Sequence, residues 1–255
     1  MSKTQGRELS DQELLRYSRQ IMLPDFDIAG QEHLLNTTMA IVGLGGLGSP
    51  AALYLAAAGT GKLILIDHDE VELSNLQRQI AHRVASVGET KVASAATAIQ
   101  ATNPDIQVHT HPAKLVAENI AQVLQGADVV LDCSDNYAVR YLLNDYCWDQ
   151  GLPLVSGAAI RWEGQITVFD GRQQESPCYR CLHPSAEGED LNCATNGVMA
   201  PVVGTIGTLQ ALEAIKVATG VGEPSIGRLT HFDAKYFEFR SLRLTPRTGC
   251  RCRSE

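Results

Sequence analysis

Gly43-Leu-Gly-Gly-Leu-Gly48 is the segment that most restricts how this chain can fold. Met39-Ala-Ile-Val42 precedes it directly, a short apolar run of the kind that forms a buried parallel strand. Pro50 to Ala58 comes next, rich in Ala and Leu and closed by Gly59, and reads as a helix. A glycine turn between strand and helix lets the backbone approach a phosphate, and the helix N-terminus adds N–H donors and partial positive charge. Leu63-Ile-Leu-Ile66 is the next strand, and Asp67 at its end lies 19 residues past Gly48. A carboxylate there can accept hydrogen bonds from ribose hydroxyls. Alone, the Gly43, Gly45, Gly48 fingerprint points to NAD(H), with glycines that serve only a tight turn as the structural alternative.

The alternation continues with helix Lys91 to Ala101, strand Ile106 to His109, helix Ala117 to Leu124, strand Asp128 to Asp132 and helix Tyr137 to Trp148. This order predicts an α/β fold with a Rossmann-like, doubly wound, mostly parallel sheet. From Pro153 the pattern changes. Leu154 to Ser156, Gln165 to Phe169 and Leu229 to Phe239 read as strands with tight turns, which extend the sheet in antiparallel fashion through the C-terminal half. Leu9 to Ile28 reads as a helical arm ending near Pro24, with Ser10 as N-cap and Glu13 three residues on, and a short helix comes after it at Gln31 to Leu35. Met199 to Ala218 is a helix apolar nearly all round, hence core or dimer interface, and Glu213 and Lys216 exclude it from a membrane.

With no repeat and no clear linker, residues 1–255 read as one domain: an arm at 1–38, a nucleotide-binding half at 39–150 and a second half at 151–255. A chain of 255 residues buries roughly three quarters of its unfolded surface and needs no disulfides. The formal charge of −8 argues against a broad nucleic-acid-binding face. No window approaches 18 uninterrupted apolar residues and the N-terminus is polar, so no membrane segment and a cytoplasmic location are expected.

The segment after Asp67 bears on the nucleotide. Ser74-Asn75-Leu76-Gln77-Arg78 sets two amides and a guanidinium within five residues, Lys91 opens the next helix, and Arg19 ends Arg16-Tyr-Ser-Arg19. Cations converging on a triphosphate serve phosphoryl or nucleotidyl transfer, which a hydride-transfer enzyme does not need. Taken singly, each is equally well a solvated surface cation. The strand ending at Asp132 leads into Cys-Ser-Asp135-Asn136, and strand C-termini in such a sheet open onto the ligand crevice. Asp135 there reads either as a holder of Mg²⁺ near phosphate oxygens or, with Asn136, as an N-cap for the helix at Tyr137.

Seven cysteines form an odd count without a secretion signal, which disfavours a disulfide framework. Cys178-Tyr-Arg-Cys181 has the spacing of a zinc knuckle and also of a redox pair, and Cys250-Arg-Cys252 offers a second pair to complete a Cys₄ site. Side chains at i and i+2 diverge in an extended chain, so the tail must turn sharply to present both thiolates. Cys133 and Cys147 read as core residues. His68, His82, His109, His111 and His183 show no ligand spacing and read as surface or loop residues.

Gly43-Leu-Gly-Gly-Leu-Gly48, Ser74-Asn-Leu-Gln-Arg-Gln79, Asp132-Cys-Ser-Asp-Asn136, Pro177-Cys-Tyr-Arg-Cys181 and Gly197-Val-Met-Ala-Pro201 together resemble the MoeB/ThiF/HesA adenylyltransferases, bacterial relatives of ubiquitin-activating enzymes. The resemblance runs from about Leu14 to Cys252. It implies an adenylyltransferase that uses Mg·ATP to activate the C-terminal glycine of a ubiquitin-like sulfur carrier ending in Gly-Gly. It implies Gly46 against the phosphates, Asp67 on the ribose, Asn75, Arg78 and Lys91 on the triphosphate, and Asp135 on the magnesium. Arg19 would reach the phosphates of the partner subunit in a homodimer, and the 151–255 half would receive the carrier. Zinc at Cys178, Cys181, Cys250 and Cys252 would be structural. Cys193 matches a thiol that can link to the carrier in the thiamine branch; an ordinary loop thiol is the alternative. Pro153 to Arg161 and Glu163 to Val168 look closer to the molybdopterin-synthase branch, while Arg16 to Arg19 and Gly204 to Glu213 support the thiamine branch as the alternative. No rhodanese domain is expected after Glu255, and a separate sulfur donor is expected accordingly.

Overall fold

The computed structural model describes residues 7–184 and 197–253. Its centre is an eight-stranded sheet. The strands are β1 (Thr38–Val42), β2 (Lys62–Ile66), β3 (Gln107–His111), β4 (Val129–Asp132), β5 (Leu154–Ile160), β6 (Glu163–Phe169), β7 (Arg228–Asp233) and β8 (Glu238–Arg243). They lie in the order β3-β2-β1-β4-β5-β6-β7-β8. Pairing is parallel from β3 to β5 and antiparallel from β5 to β8. The expected doubly wound sheet with an antiparallel extension is therefore the observed one.

Side chains alternate between the faces of a strand, so a strand covered on both sides is apolar throughout. In β1, Met39 and Ile41 enter one core with the helix α4 (Gly48–Ala58), and Ala40 and Val42 enter the other with Tyr141 and Leu143 of a later helix. Helix α5 (Lys91–Thr102) packs beside α4, and the short α6 (Ile120–Val123) and α7 (Tyr137–Gln150) cover the opposite face. Helix α9 (Ala200–Thr219), which comes after the one-turn α8 (Tyr179–Leu182), lies across α4 and β5. The 20-residue α9 is a core helix, and among the described residues no helix is long and apolar enough to cross a membrane. Gln210 of α9 is fully buried, and its Nε2 donates to the carbonyls of Asp132 (2.7 Å) and Val155 (3.2 Å).

Several boundaries differ from those expected. The arm is three helices, α1 (Asp11–Arg16), α2 (Ser18–Ile21) and α3 (Asp27–Leu35), broken at Tyr17 and around Pro24. Its start is as expected: Ser10 and Glu13 form a capping box. Leu229 to Phe239 is a hairpin, because Phe237 turns with a φ of 56° and sends the chain back as β8. The helix expected from Ala117 shrinks to Ile120–Val123, and Asn119 instead uses its side chain on the backbone of Val116.

Two glycines of the turn after β1 are sterically required. Gly43 has a φ of 91°, and a Cβ on it would lie 2.7 Å from the carbonyl oxygen of Cys133. A Cβ on Gly48 would overlap the carbonyl oxygen of Gly43. Gly48→Ala is expected to cost about 3 kcal/mol, lowering the Tm by roughly 10 °C in a thermal melt. Gly204→Ala, with open space around the new methyl, should leave the Tm unchanged or raise it slightly. Equal melting of the two variants would refute this steric account.

Candidate functional site

β1 has β2 on one side and β4 on the other, and the chain leaves the sheet in opposite directions from β1 and β4. Ligands in open α/β sheets sit at such a reversal, beyond the strand C-termini. A cleft of about 510 Å³ opens there. Gly43, Gly45 and Gly46 line it from the turn after β1, Asp67 and Asp69 from the end of β2, and Asn75, Arg78 and Lys91 from the chain beyond. Asp135 and Asn136 line it from the end of β4. The cleft then runs on past Ala158 to Ile160 and Glu163 to Gln165, the facing ends of β5 and β6.

Not every expected residue arrives there. Ser74, Leu76 and Gln77 lie outside the lining; the Ser74 hydroxyl donates to Glu72 at 3.0 Å and Gln77 is exposed. Asn75 is buried, with its side-chain oxygen accepting from the Glu72 backbone N–H at 3.1 Å. Arg19 is exposed on the arm, away from this cleft, and among the described residues its guanidinium meets only a distant Met22 sulfur. Asn136 does N-cap α7, accepting from the Val139 N–H at 3.0 Å, whereas Asp135 is exposed and faces the cleft. The capping role thus falls to Asn136 and not to Asp135.

The charges are organised. Lys91 Nζ donates to Asp69 Oδ2 at 2.8 Å, although the lysine side chain is only 8% exposed. Burial pushes the Asp69 carboxyl up, but the bond from Lys91 outweighs it and holds the pKa below the usual carboxylate range. Asp67 accepts from the Leu44 N–H at 2.7 Å and from the Asp69 N–H at 2.9 Å, so its carboxylate braces the glycine turn.

Three residues of this region are not among those to which the sequence assigns a site. Arg140, one turn into α7, lines the cleft and donates from Nη2 to the Ser134 carbonyl at 2.9 Å, fixing the backbone beside Asp135. Burial works against its charge, but the neighbouring Asp132 carboxylate sustains it. An Arg four residues after a helix N-cap was the available signal. His183 lines the cleft too, its ring 4.8 Å from that of Tyr179 and tilted against it, and His82 is 6% exposed. Both lie in loops, as expected, but neither is an exposed surface residue: a single imidazole has no periodicity that reports its burial.

The four cysteines of the two pairs meet. Cys178 Sγ lies 3.5 Å from Cys250 Sγ and 4.0 Å from Cys181 Sγ, and Cys181 Sγ lies 3.3 Å from Cys252 Sγ. Tetrahedral zinc with sulfur at about 2.3 Å needs sulfurs separated by about 3.8 Å, so the donor set fits that ion. The tail turns as the close spacing requires: Gly249 has a φ of 74° and Arg251–Arg253 forms a single 3₁₀ turn. Burial raises the Cys250 thiol, but hydrogen bonds from Cys252 and the other sulfurs bring it down to about 7, whereas burial and the neighbouring sulfurs push Cys178 and Cys252 up. Arg180 docks the knuckle on α7 through a two-pronged bond to Asp145 (2.8 and 2.7 Å). Cys133 and Cys147 are buried, and desolvation raises both thiols, in keeping with core roles. Cys193 lies outside the described residues.

The same architecture recurs in known proteins. The chain is 51% identical to the molybdopterin-synthase adenylyltransferase of Escherichia coli (strain K12) over 95% of its length and 97% of that enzyme's. It is 49% identical to the adenylyltransferase and sulfurtransferase MOCS3 of Drosophila grimshawi over 98% of its length, which is 56% of that longer protein. In fold it is similar to E. coli MccB, with a TM-score of 0.83 at 22% identity over 97% of this chain and 74% of that one. The model of the ThiF family matches residues 17–252, and on that match and these identities the chain belongs to the ThiF family.

Proposed function

We propose that this chain binds Mg·ATP in the cleft and adenylates the C-terminal glycine of a ubiquitin-like sulfur carrier, the small subunit of molybdopterin synthase. One observation carries the reading: a single continuous cleft joins a phosphate-type glycine turn, Arg78 and Lys91 to the facing ends of β5 and β6, where a carrier's C-terminal residues would enter. The names of the full-length relatives support the enzyme class and the carrier. A nicotinamide reading leaves Arg78, Lys91 and Asp135 in the same cleft without a task.

The reaction places two anions together. The carrier carboxylate attacks the α-phosphorus of ATP and pyrophosphate leaves, giving an acyl-adenylate. The nucleophile is already ionised, so no general base is needed; positioning and charge neutralisation do the work. The glycine-turn amides would receive phosphate oxygens, and Arg78 and Lys91 would offset the negative charge that builds up. Asp135, exposed at the opposite wall, would hold Mg²⁺, which supplies further electrostatic stabilisation when bound. Asp67 would accept from the ribose while keeping its bond to Leu44.

Arg19 would serve the partner subunit's cleft in a homodimer. It is exposed beside exposed Leu15, Met22, Leu23 and Ile28, an apolar surface suited to burial against a second copy. Zinc at Cys178, Cys181, Cys250 and Cys252 would be structural, since four thiolates leave no open position. Sulfur would come from a separate protein.

Asp135→Ala or Arg78→Ala should lower carrier-dependent ATP–pyrophosphate exchange roughly 10²-fold or more, and near-normal exchange in Asp135→Ala sinks the assignment. If Arg19 acts across the dimer, mixing Arg19→Ala with Asp135→Ala should rebuild one intact site per hybrid, about a quarter of wild-type sites at random pairing. No recovery on mixing places Arg19 elsewhere. Metal analysis should find one zinc per chain. Stripping it opens a ring closed across 72 residues between Cys178 and Cys250 and should lower the Tm by roughly 10 °C. A metal-free protein that melts unchanged would overturn the zinc assignment.

A further inference from the structure

We infer that His82 is a positioning residue for the phosphate-binding turn, acting as a neutral imidazole that carries its proton on Nε2 and donates it to the Leu44 carbonyl. The inference rests on the reading of the cleft as the ATP site.

The Leu44 peptide lies in the middle of the turn that must meet the phosphates. Leu44 is fully buried. Its N–H donates to Asp67, and its carbonyl receives His82 Nε2 at 3.0 Å and Ser49 Oγ at 3.2 Å. A carbonyl can only accept, so the proton is on Nε2. A neutral ring then accepts at Nδ1, where Ser94 Oγ lies at 2.9 Å and must be the donor. The Ser94 proton is thereby used. The contact between Ser94 and Ser86 hydroxyls at 2.9 Å then takes its proton from Ser86, or Ser86 keeps its bond to the Arg83 carbonyl, also 2.9 Å. Serine hydroxyls rotate to suit, so the polar chain satisfies the ring on both sides.

Burial lowers the His82 pKa and Lys91 opposes its charge, both in keeping with a neutral ring; its contact with the Leu44 carbonyl pulls the other way, as does the nearby Asp67. The ring connects two segments beside the cleft: Leu44 belongs to the glycine turn, and Ser94 sits one turn along the helix that Lys91 opens. The backbone N–H of His82, separately, donates to the carbonyl of Gln79, which lines the cleft near Arg78. One imidazole thus sets the spacing between the backbone donors and the lysine that would share the triphosphate.

The test compares His82→Gln, whose amide can still donate to Leu44, with His82→Asn, which can accept from Ser94 but falls short of Leu44. Binding of Mg·ATP and the KM for ATP and for carrier are measured on the full chain. His82→Asn should weaken ATP binding about tenfold with an unchanged carrier KM, and His82→Gln should recover most of the loss. A purely structural role would reduce the active fraction, hence kcat, and leave the ATP KM alone. That result overturns the inference, as does a His82→Gln no better than His82→Asn. Should both variants fail to fold, ¹⁵N spectra of wild-type imidazoles decide: a pyrrole-type Nε2 and pyridine-type Nδ1 support the assignment, and the reverse pattern overturns it. Wild-type protein that takes up no ATP fails the nucleotide reading itself, whereas ATP uptake with an indifferent His82→Asn fails this inference alone.

Discussion

The turn between β1 and α4 has no slack, and the cleft is arranged around that fact. Gly43 approaches the Cys133 backbone too closely for a side chain, and Gly48 approaches Gly43 more closely still. The peptide of Leu44 between them is bonded at both ends, to Asp67 from β2 and to His82 and Ser49. Backbone donors useful to a phosphate must point outward and stay there, because a donor that reorients on binding loses much of its electrostatic benefit. Here the rigidity comes from neighbours that are themselves buried.

How much of this could be read from the residues depends on which signals are local. β1, β2 and β4 are short apolar runs covered on both faces, and their sequence shows it directly. The glycine turn was legible because only glycine satisfies it, and the cysteine pairs because their spacing suits one ion. Leu229 to Phe239 read as one strand because Tyr236 and Phe237 are strong strand formers; the hairpin depends on a backbone conformation at Phe237 that composition does not report. The place of Asp67 at the cleft was legible from its position at the end of β2, but its bond to Leu44 is tertiary. His82 is invisible because its importance lies in the Leu44 carbonyl, 38 residues away, whereas Arg140 acts locally, on the Ser134 carbonyl just before its own helix.

The cysteine cluster and the cleft meet through α7. Cys178 and Cys181 flank Tyr179, whose N–H donates to Asn144 at 2.7 Å, while Arg180 and Arg251 both reach Asp145. The helix that receives these contacts also carries Arg140 toward the end of β4. The tail of the chain is thereby fastened, through Arg251 and the sulfur cluster it shares with the knuckle of Cys178 and Cys181, to the element that bounds the cleft on the Asp135 side.

The change from parallel to antiparallel pairing at β5 gives the cleft two walls of different kinds. Toward β1 and β2 the wall is a glycine turn in which even one added methyl group collides with backbone. Toward β6 it is the facing ends of β5 and β6, whose connecting turn at Arg161 and Trp162 lies outside the lining, with Trp162 46% exposed. A hairpin tip accepts insertions and exchanges of residue at small cost. One wall of the cleft is therefore mechanically fixed and the other adaptable: exchanges of residue near the β5–β6 hairpin disturb the fold far less than any added side chain at Gly43 or Gly48.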